Sequence, residues 1–255
     1  MELFRPCVCV AFILVCVNYE YCSVSADEQA AVRLRKLGAS VYLESKGAVV
    51  VIPYHRTEWT GSKDDLHLLT QLGKVESLDF MRGNVKLDDL DELEVLPQIE
   101  GLRNLTIRYA GDVSLTAYRN IAKCKHLKVL NLGSCALTVE KAETISSLRE
   151  LEDLALQELR MTDDCVTPIL KMKSLRRLSL VSFKLTSESL KAVSELENLE
   201  DLYFAWTPLD HGALQHLIKL KALRRFQSVP KMISPEDLPW IKQQMPNCKF
   251  EETGN

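Results

Sequence analysis

Leu127-Lys128-Val129-Leu130-Asn131-Leu132 returns as Leu151-Glu152-Asp153-Leu154-Ala155-Leu156, then Leu175-Arg176-Arg177-Leu178-Ser179-Leu180, then Leu199-Glu200-Asp201-Leu202-Tyr203-Phe204. Looser copies start at Val75, Leu102 and Leu223, so that successive starts lie 27, 25, 24, 24, 24 and 24 residues apart. Within each copy the last three positions alternate apolar, other, apolar, the period of a short strand with one buried face. Downstream the apolar residues change to helical spacing: Ala142, Ile145, Leu148; Val166, Ile169, Met172; Leu190, Val193, Leu196; Leu214, Leu217, Leu220. Thr138, Thr162 and Thr186 stand at the starts of three of these stretches with acids just behind them, which is helix-capping chemistry. A strand, loop and helix of this size cannot bury its apolar side alone. The units must therefore stack, which predicts a curved solenoid with a parallel sheet on one side and helices on the other.

The LxxLxL spacing resembles that of leucine-rich repeat proteins over nearly all of the chain beyond residue 26. The resemblance implies an α/β solenoid with the parallel β-sheet on its concave face and the helices on its convex face. The unit length and helix-rich side are most similar to the ribonuclease-inhibitor-like and cysteine-containing repeats. In those repeats Asn or Cys stands three residues after the last Leu of the motif. Here the position holds Cys135, Leu159, Phe183 and Thr207, so apolar packing is expected to replace most of that polar ladder.

The composition agrees with a repeated core. Leucine accounts for 41 of 255 residues, against 10 Gly and 7% aromatics. A formal net charge of −3 and a pI near 6.0 provide no strong positive field, which argues against nucleic acid or anionic lipid as partner. Arg5, an apolar run over residues 7–17 and Val24-Ser25-Ala26 have the order of a secretory signal peptide, with cleavage expected after Ala26. Eleven apolar residues fall well short of the ~20 that a membrane-spanning helix needs. The organisation expected is a signal peptide at 1–26, a helix, hairpin and irregular first repeat at 27–72, repeats at 73–229, and a capping helix and tail at 230–255. The hairpin should turn at Lys46-Gly47, and Ser234-Pro235-Glu236-Asp237 should open the last helix. Residues 31–50 and 245–250 resemble the opening and closing segments of small exported bacterial leucine-rich repeat proteins.

Residues between the motif leucines should point out of the sheet. The most adhesive region of that concave face is expected at Arg177, Val181, Tyr203, Ala205, Trp206, Arg225 and Gln227, because exposed aromatics and arginines dominate interface hot spots. A competing reading puts Trp206 over an edge of the core. The columns Lys128, Glu152, Arg176, Glu200, Arg224 and Asp153, Arg177, Asp201, Arg225 alternate in sign, and neighbouring strands ~4.8 Å apart would set opposite charges side by side. Those columns read mainly as devices that hold register.

No pattern for catalysis, a cofactor or a metal is seen. His55, His67, His126, His211 and His216 occupy unrelated repeat positions, and the acidic run at 88–92 lacks the glycine and register of a calcium loop. Cys124, Cys135, Cys165 and Cys248 read as small buried hydrophobes, with Cys124 and Cys135 the one pair on adjoining units. The sequon at Asn104-Leu105-Thr106 lies inside an expected strand and is taken as coincidence. The reading is a non-enzymatic, exported binding module for a protein or, second, a glycan. The alternatives are an intracellular adaptor of the ubiquitin-ligase receptor or enzyme-inhibitor type, and a structural envelope component. An adaptor of that kind needs a helical docking motif ahead of the repeats, and residues 27–72 contain none that is recognisable.

Overall fold

The computed structural model describes residues 25–53, 59–80, 93–108, 113–134, 136–157 and 160–253. Its ten strands form one sheet in strict chain order: β1 (Ser40–Tyr42), β2 (Ala48–Ile52), β3 (Val75–Phe80), β4 (Asn104–Arg108), β5 (Val129–Gly133), β6 (Asp153–Gln157), β7 (Arg177–Val181), β8 (Asp201–Ala205), β9 (Arg225–Ser228) and β10 (Lys249–Glu252). Only β1 with β2 is antiparallel. Each later strand pairs in parallel with the one before it. Between β5 and β9 the register advances by 24 residues per strand, so Leu130, Leu154, Leu178 and Leu202 meet as direct neighbours. This is the stacking that the sequence period requires.

The described helices are α1 (Ala26–Lys36), α2 (Leu115–Lys123), α3 (Val139–Ile145), α4 (Ser187–Val193), α5 (His211–Leu217) and α6 (Asp237–Gln244). Their apolar faces and the inward strand residues make one continuous core, in which the expected helical positions from Ala142 to Leu220 are buried. Thr138 Oγ1 accepts the Lys141 amide at 3.3 Å and Thr186 Oγ1 the Glu188 amide at 3.2 Å, so two of the three expected caps form. Thr162 makes no such bond. Its segment is two 3-10 turns, Asp163–Cys165 and Thr167–Lys171, in place of the expected α-helix. Pro168 has no amide to donate, so the α-helical bond back to Asp164 O cannot form there. Val166, Ile169 and Met172 are buried all the same.

At the N-terminal end, Ser25 and Glu28 cap α1 reciprocally, with the Glu28 amide on Ser25 Oγ at 3.2 Å and the Ser25 amide on Glu28 Oε2 at 3.3 Å. Residues 1–24 of the expected signal peptide lie outside the described residues, and its expected cleavage point falls just inside this cap. The hairpin turns where expected. Gly47 holds φ 145, and a Cβ there would stand 3.0 Å from the Glu76 backbone nitrogen. The second strand of the hairpin is also the first strand of the parallel array, followed by a 3-10 helix, Lys63–Gln71, that buries Leu66, Leu68 and Leu69. At the other end the Asp237 amide donates to Ser234 Oγ at 3.0 Å, as its capping role predicts. Beyond α6 the chain forms the tenth strand in place of the expected tail.

The polar ladder is the main departure in the interior. Phe183 is 58% exposed, where the sequence reading packs it inside. Ser182 takes the interior place one residue early and its hydroxyl donates to Met161 O at 2.7 Å. In the next unit Thr207 is buried as expected, but through hydrogen bonds to Ser182 O at 3.3 Å and Leu185 O at 3.2 Å. A buried loop carbonyl needs a donor, and a phenyl ring cannot provide one. Leu159 and Cys135 lie outside the described residues, as does the acidic run at 88–92.

Candidate binding surface

The outward residues of β5–β9 form columns across the open face of the sheet. The first runs Val129, Asp153, Arg177, Asp201, Arg225 and reaches Lys249 on β10. Arg177 Nε donates to Asp153 Oδ2 at 2.7 Å, and Arg225 Nε to Asp201 Oδ2 at 2.9 Å. These hydrogen bonds raise both guanidinium pKa values above their ordinary level. One residue earlier, Lys128 reaches Glu152 at 3.1 Å and Arg176 reaches Glu200 at 2.5 Å. The alternating charges therefore pair across strands, as the sequence columns imply. Exposed pairs of this kind contribute about 0–1 kcal/mol each, so they choose register more than they add stability.

The second column runs Asn131, Ala155, Ser179, Tyr203, Gln227, Glu251. Tyr203 is half-buried between Ser179 and Gln227, and Gln227 Nε2 donates to Glu251 Oε2 at 3.1 Å. The third column contains Val181 and, paired with it on β8, Ala205. Val181 is half-buried. Ala205 is 0% exposed and offers a partner no contact area, a correction to its expected place on the face. Its single methyl does not reach past the longer side chain of Val181 beside it. Gly133 and Val229, at the matching positions of their units, are buried as well.

Trp206 follows β8 directly and is 46% exposed with φ 68. The left-handed backbone conformation costs an L-residue roughly 1–2 kcal/mol. Here it lets Thr207 turn inward while the indole turns out. Ser134, the equivalent residue three units earlier, has φ 54, whereas Ser182, one unit earlier, does not adopt this conformation and turns inward instead. The large exposed aromatics of these two neighbouring units are Trp206 and Phe183, with half-buried Tyr203 in the second column of the sheet. Sequence reading missed Phe183. The usable signal was its size at a position that normally holds a small hydrogen-bonding residue.

Toward the N-terminal half the face is polar. Arg108 Nη2 lies 3.9 Å from Asp79 Oδ2, and burial pushes the Asp79 carboxyl up while the Arg108 charge opposes it. Asp79 Oδ1, Arg108 Nε, Asn131 Oδ1 and Ser179 Oγ are shielded from solvent and make no hydrogen bond among the described residues. Unmade hydrogen bonds at buried atoms are costly.

Ser234, Asp237 and His211 form a hydrogen-bonded chain, with Ser234 Oγ to Asp237 Oδ2 at 2.9 Å and His211 Nδ1 to Asp237 Oδ1 at 2.8 Å. The hydroxyl meets the acid and not the imidazole, which is the wrong order for an activated nucleophile. His211 also stacks on Trp240 at 4.1 Å between ring centroids, so the cluster ties α5 to α6. Cys124, Cys165 and Cys248 are buried, and burial pushes the thiols of Cys124 and Cys248 up to about 11. Among the described residues no three His, Cys, Asp or Glu side chains gather into a metal-holding group, and no helix is long and apolar enough to cross a membrane.

The ladder of parallel strands, each backed by helix or 3-10 turn, gives this chain the architecture of a leucine-rich repeat solenoid. Among solved structures it is similar to a leucine-rich repeat protein of Leptospira interrogans (19% identity, TM-score 0.46, 72% of this chain and 50% of that one). It is also similar to an internalin from Listeria monocytogenes (12%, 0.42, 90% and 88%). A third is the ectodomain of an Arabidopsis receptor kinase in complex with a peptide hormone (15%, 0.48, 91% and 42%). The chain spans half the length of the first and less than half of the third. No protein-family model and no curated protein matches the sequence.

Proposed function

We propose that the chain is a non-enzymatic, exported module that binds a protein partner on the open face of its sheet, with Tyr203, Trp206 and Phe183 as the anchor. The observation that carries this reading is Trp206, a large aromatic 46% exposed on a left-handed backbone, with Phe183 exposed on the preceding unit. Such rings are typical centres of interface energy. Arg177 and Arg225 are engaged by their aspartates, so they frame the patch as neutral pairs and do not act as free cations. Gln227 and Val181 complete its floor.

The test compares the intact chain with a Tyr203→Ala/Trp206→Ala variant as baits in the extracytoplasmic fraction of the native organism. Loss of a captured protein by a still-folded variant supports the reading. Unfolding of the variant by about 3–5 kcal/mol would instead make the rings part of the core. Trp206→Gly separates the two, because glycine relieves the left-handed strain while removing the ring. Export is tested by amino-terminal sequencing of the protein recovered outside the cytoplasm, with Asp27 the expected first residue.

A further inference from the structure

The sheet ends on β10, which pairs with β9 on one side and, among the described residues, with no strand on the other. The Lys249 amide donates to Arg224 O at 2.8 Å and the Thr253 amide to Ser228 O at 2.9 Å, so residues 249, 251 and 253 direct their backbone groups at β9. Backbone direction alternates along a strand, which leaves the amide and carbonyl of Phe250 and of Glu252 directed away from the sheet. An open row of that kind is a template for another strand.

The side chains of this edge are arranged by face. Phe250 lies on the core side, against buried Phe226 at 5.7 Å between ring centroids. It remains half-buried, beside a cleft of about 250 Å³ that Ile233 and Leu238 also line. Lys249 and Glu251 lie on the open face and touch each other. Lys249 also breaks the sign alternation of its column, since the neighbour in register is Arg225.

We propose that β10 pairs antiparallel with β10 of a second copy of this chain, about a two-fold axis through Phe250. A two-fold axis perpendicular to the sheet keeps core side with core side, which permits only opposed residues of the same parity. The direction of the free backbone groups then makes Phe250 exchange its amide and carbonyl with Phe250 of the second copy. In that register each Lys249 stands opposite Glu251 of the other copy, and the two phenyl rings meet over the uncovered cleft. Registers centred on Lys249, Glu251 or Glu252 would set like charges face to face on the axis. The charges that would repel an unrelated strand are thus complementary to their own copy. A strand of four residues buries less than a permanent dimer needs, so the association is weak and concentration-dependent.

Sedimentation equilibrium of the purified chain over a range of concentrations should show mass rising from one chain toward two. Glu251→Lys, which puts lysine opposite lysine, should weaken association by about tenfold or more. The double exchange Lys249→Glu/Glu251→Lys should restore it, with thermal unfolding as the check that both variants fold. A single-chain mass at every concentration overturns the proposal. So does an association that the single reversal leaves unchanged, or one that the double exchange fails to restore in a folded protein.

Discussion

Asp163 shows how one side chain can join two units. Its carboxylate accepts the Thr186 amide at 2.9 Å, the Thr186 hydroxyl at 2.6 Å and the Ser189 hydroxyl, all on the cap and first turn of α4 in the next unit. Burial raises its pKa, but the hydrogen bonds from Ser189 and Thr186 outweigh it and hold the group below the ordinary 3.8. A carboxylate depressed in the folded state stabilises the fold above its unfolded pKa, and that contribution disappears as pH falls through the lower folded value. Asp163→Asn should therefore cost about 1 kcal/mol at neutral pH, allowing for partial exposure. Urea unfolding below pH 4 should show that cost shrinking toward zero. A cost independent of pH would mean that the ionised form is not what the α4 turn requires.

At the scale of the element, each strand divides its residues between a core that stabilises and a face that does not. Leu178 is 2% exposed in the middle of β7, whereas Phe183, two residues beyond that strand, is 58% exposed. Leu178→Ala should lose about 2–5 kcal/mol by chemical unfolding. Phe183→Ala should stay within about 0.5 kcal/mol of the parent, although phenylalanine is the larger residue. A large loss at Phe183 would place its ring against the core after all. The 3-10 turns at 163–171 make the same point from the other direction: burial of Val166, Ile169 and Met172 survives a change of helix type, because the core specifies which side faces inward and not the hydrogen-bond ladder behind it.

The whole molecule is a stack in which each unit chiefly meets its neighbours, so units are removable in principle. The charge columns decide which removals are tolerated. Deleting residues 175–198 would place Asp153 beside Asp201 and Glu152 beside Glu200, whereas deleting 175–222 would place Asp153 beside Arg225 and Glu152 beside Arg224. Both products should keep their strand content by circular dichroism. The single deletion should regain stability when salt is added, since screening relieves repulsion between exposed like charges. The double deletion should respond less, and equal responses would show that the columns carry no register information.

The stack, its period, the inward leucines and the cross-strand charge partners were legible in the sequence because they repeat, and repetition averages out local accidents. The candidate surface was legible only in part. Tyr203, Gln227 and Val181 lie on the open face, and Trp206 at its rim is exposed, whereas Ala205 is buried and Phe183 emerges beside them. Which of two adjacent residues enters the interior at 182–183 and 206–207 depends on which can donate to a buried carbonyl of the preceding unit. That contest is decided between units, 21–25 residues apart in sequence, and the link from His211 to Asp237 spans 26. By itself the sequence determined which side of each element is apolar. Only the tertiary structure decided which exceptions to the pattern turn outward, because satisfying buried backbone groups takes precedence over burying one more ring.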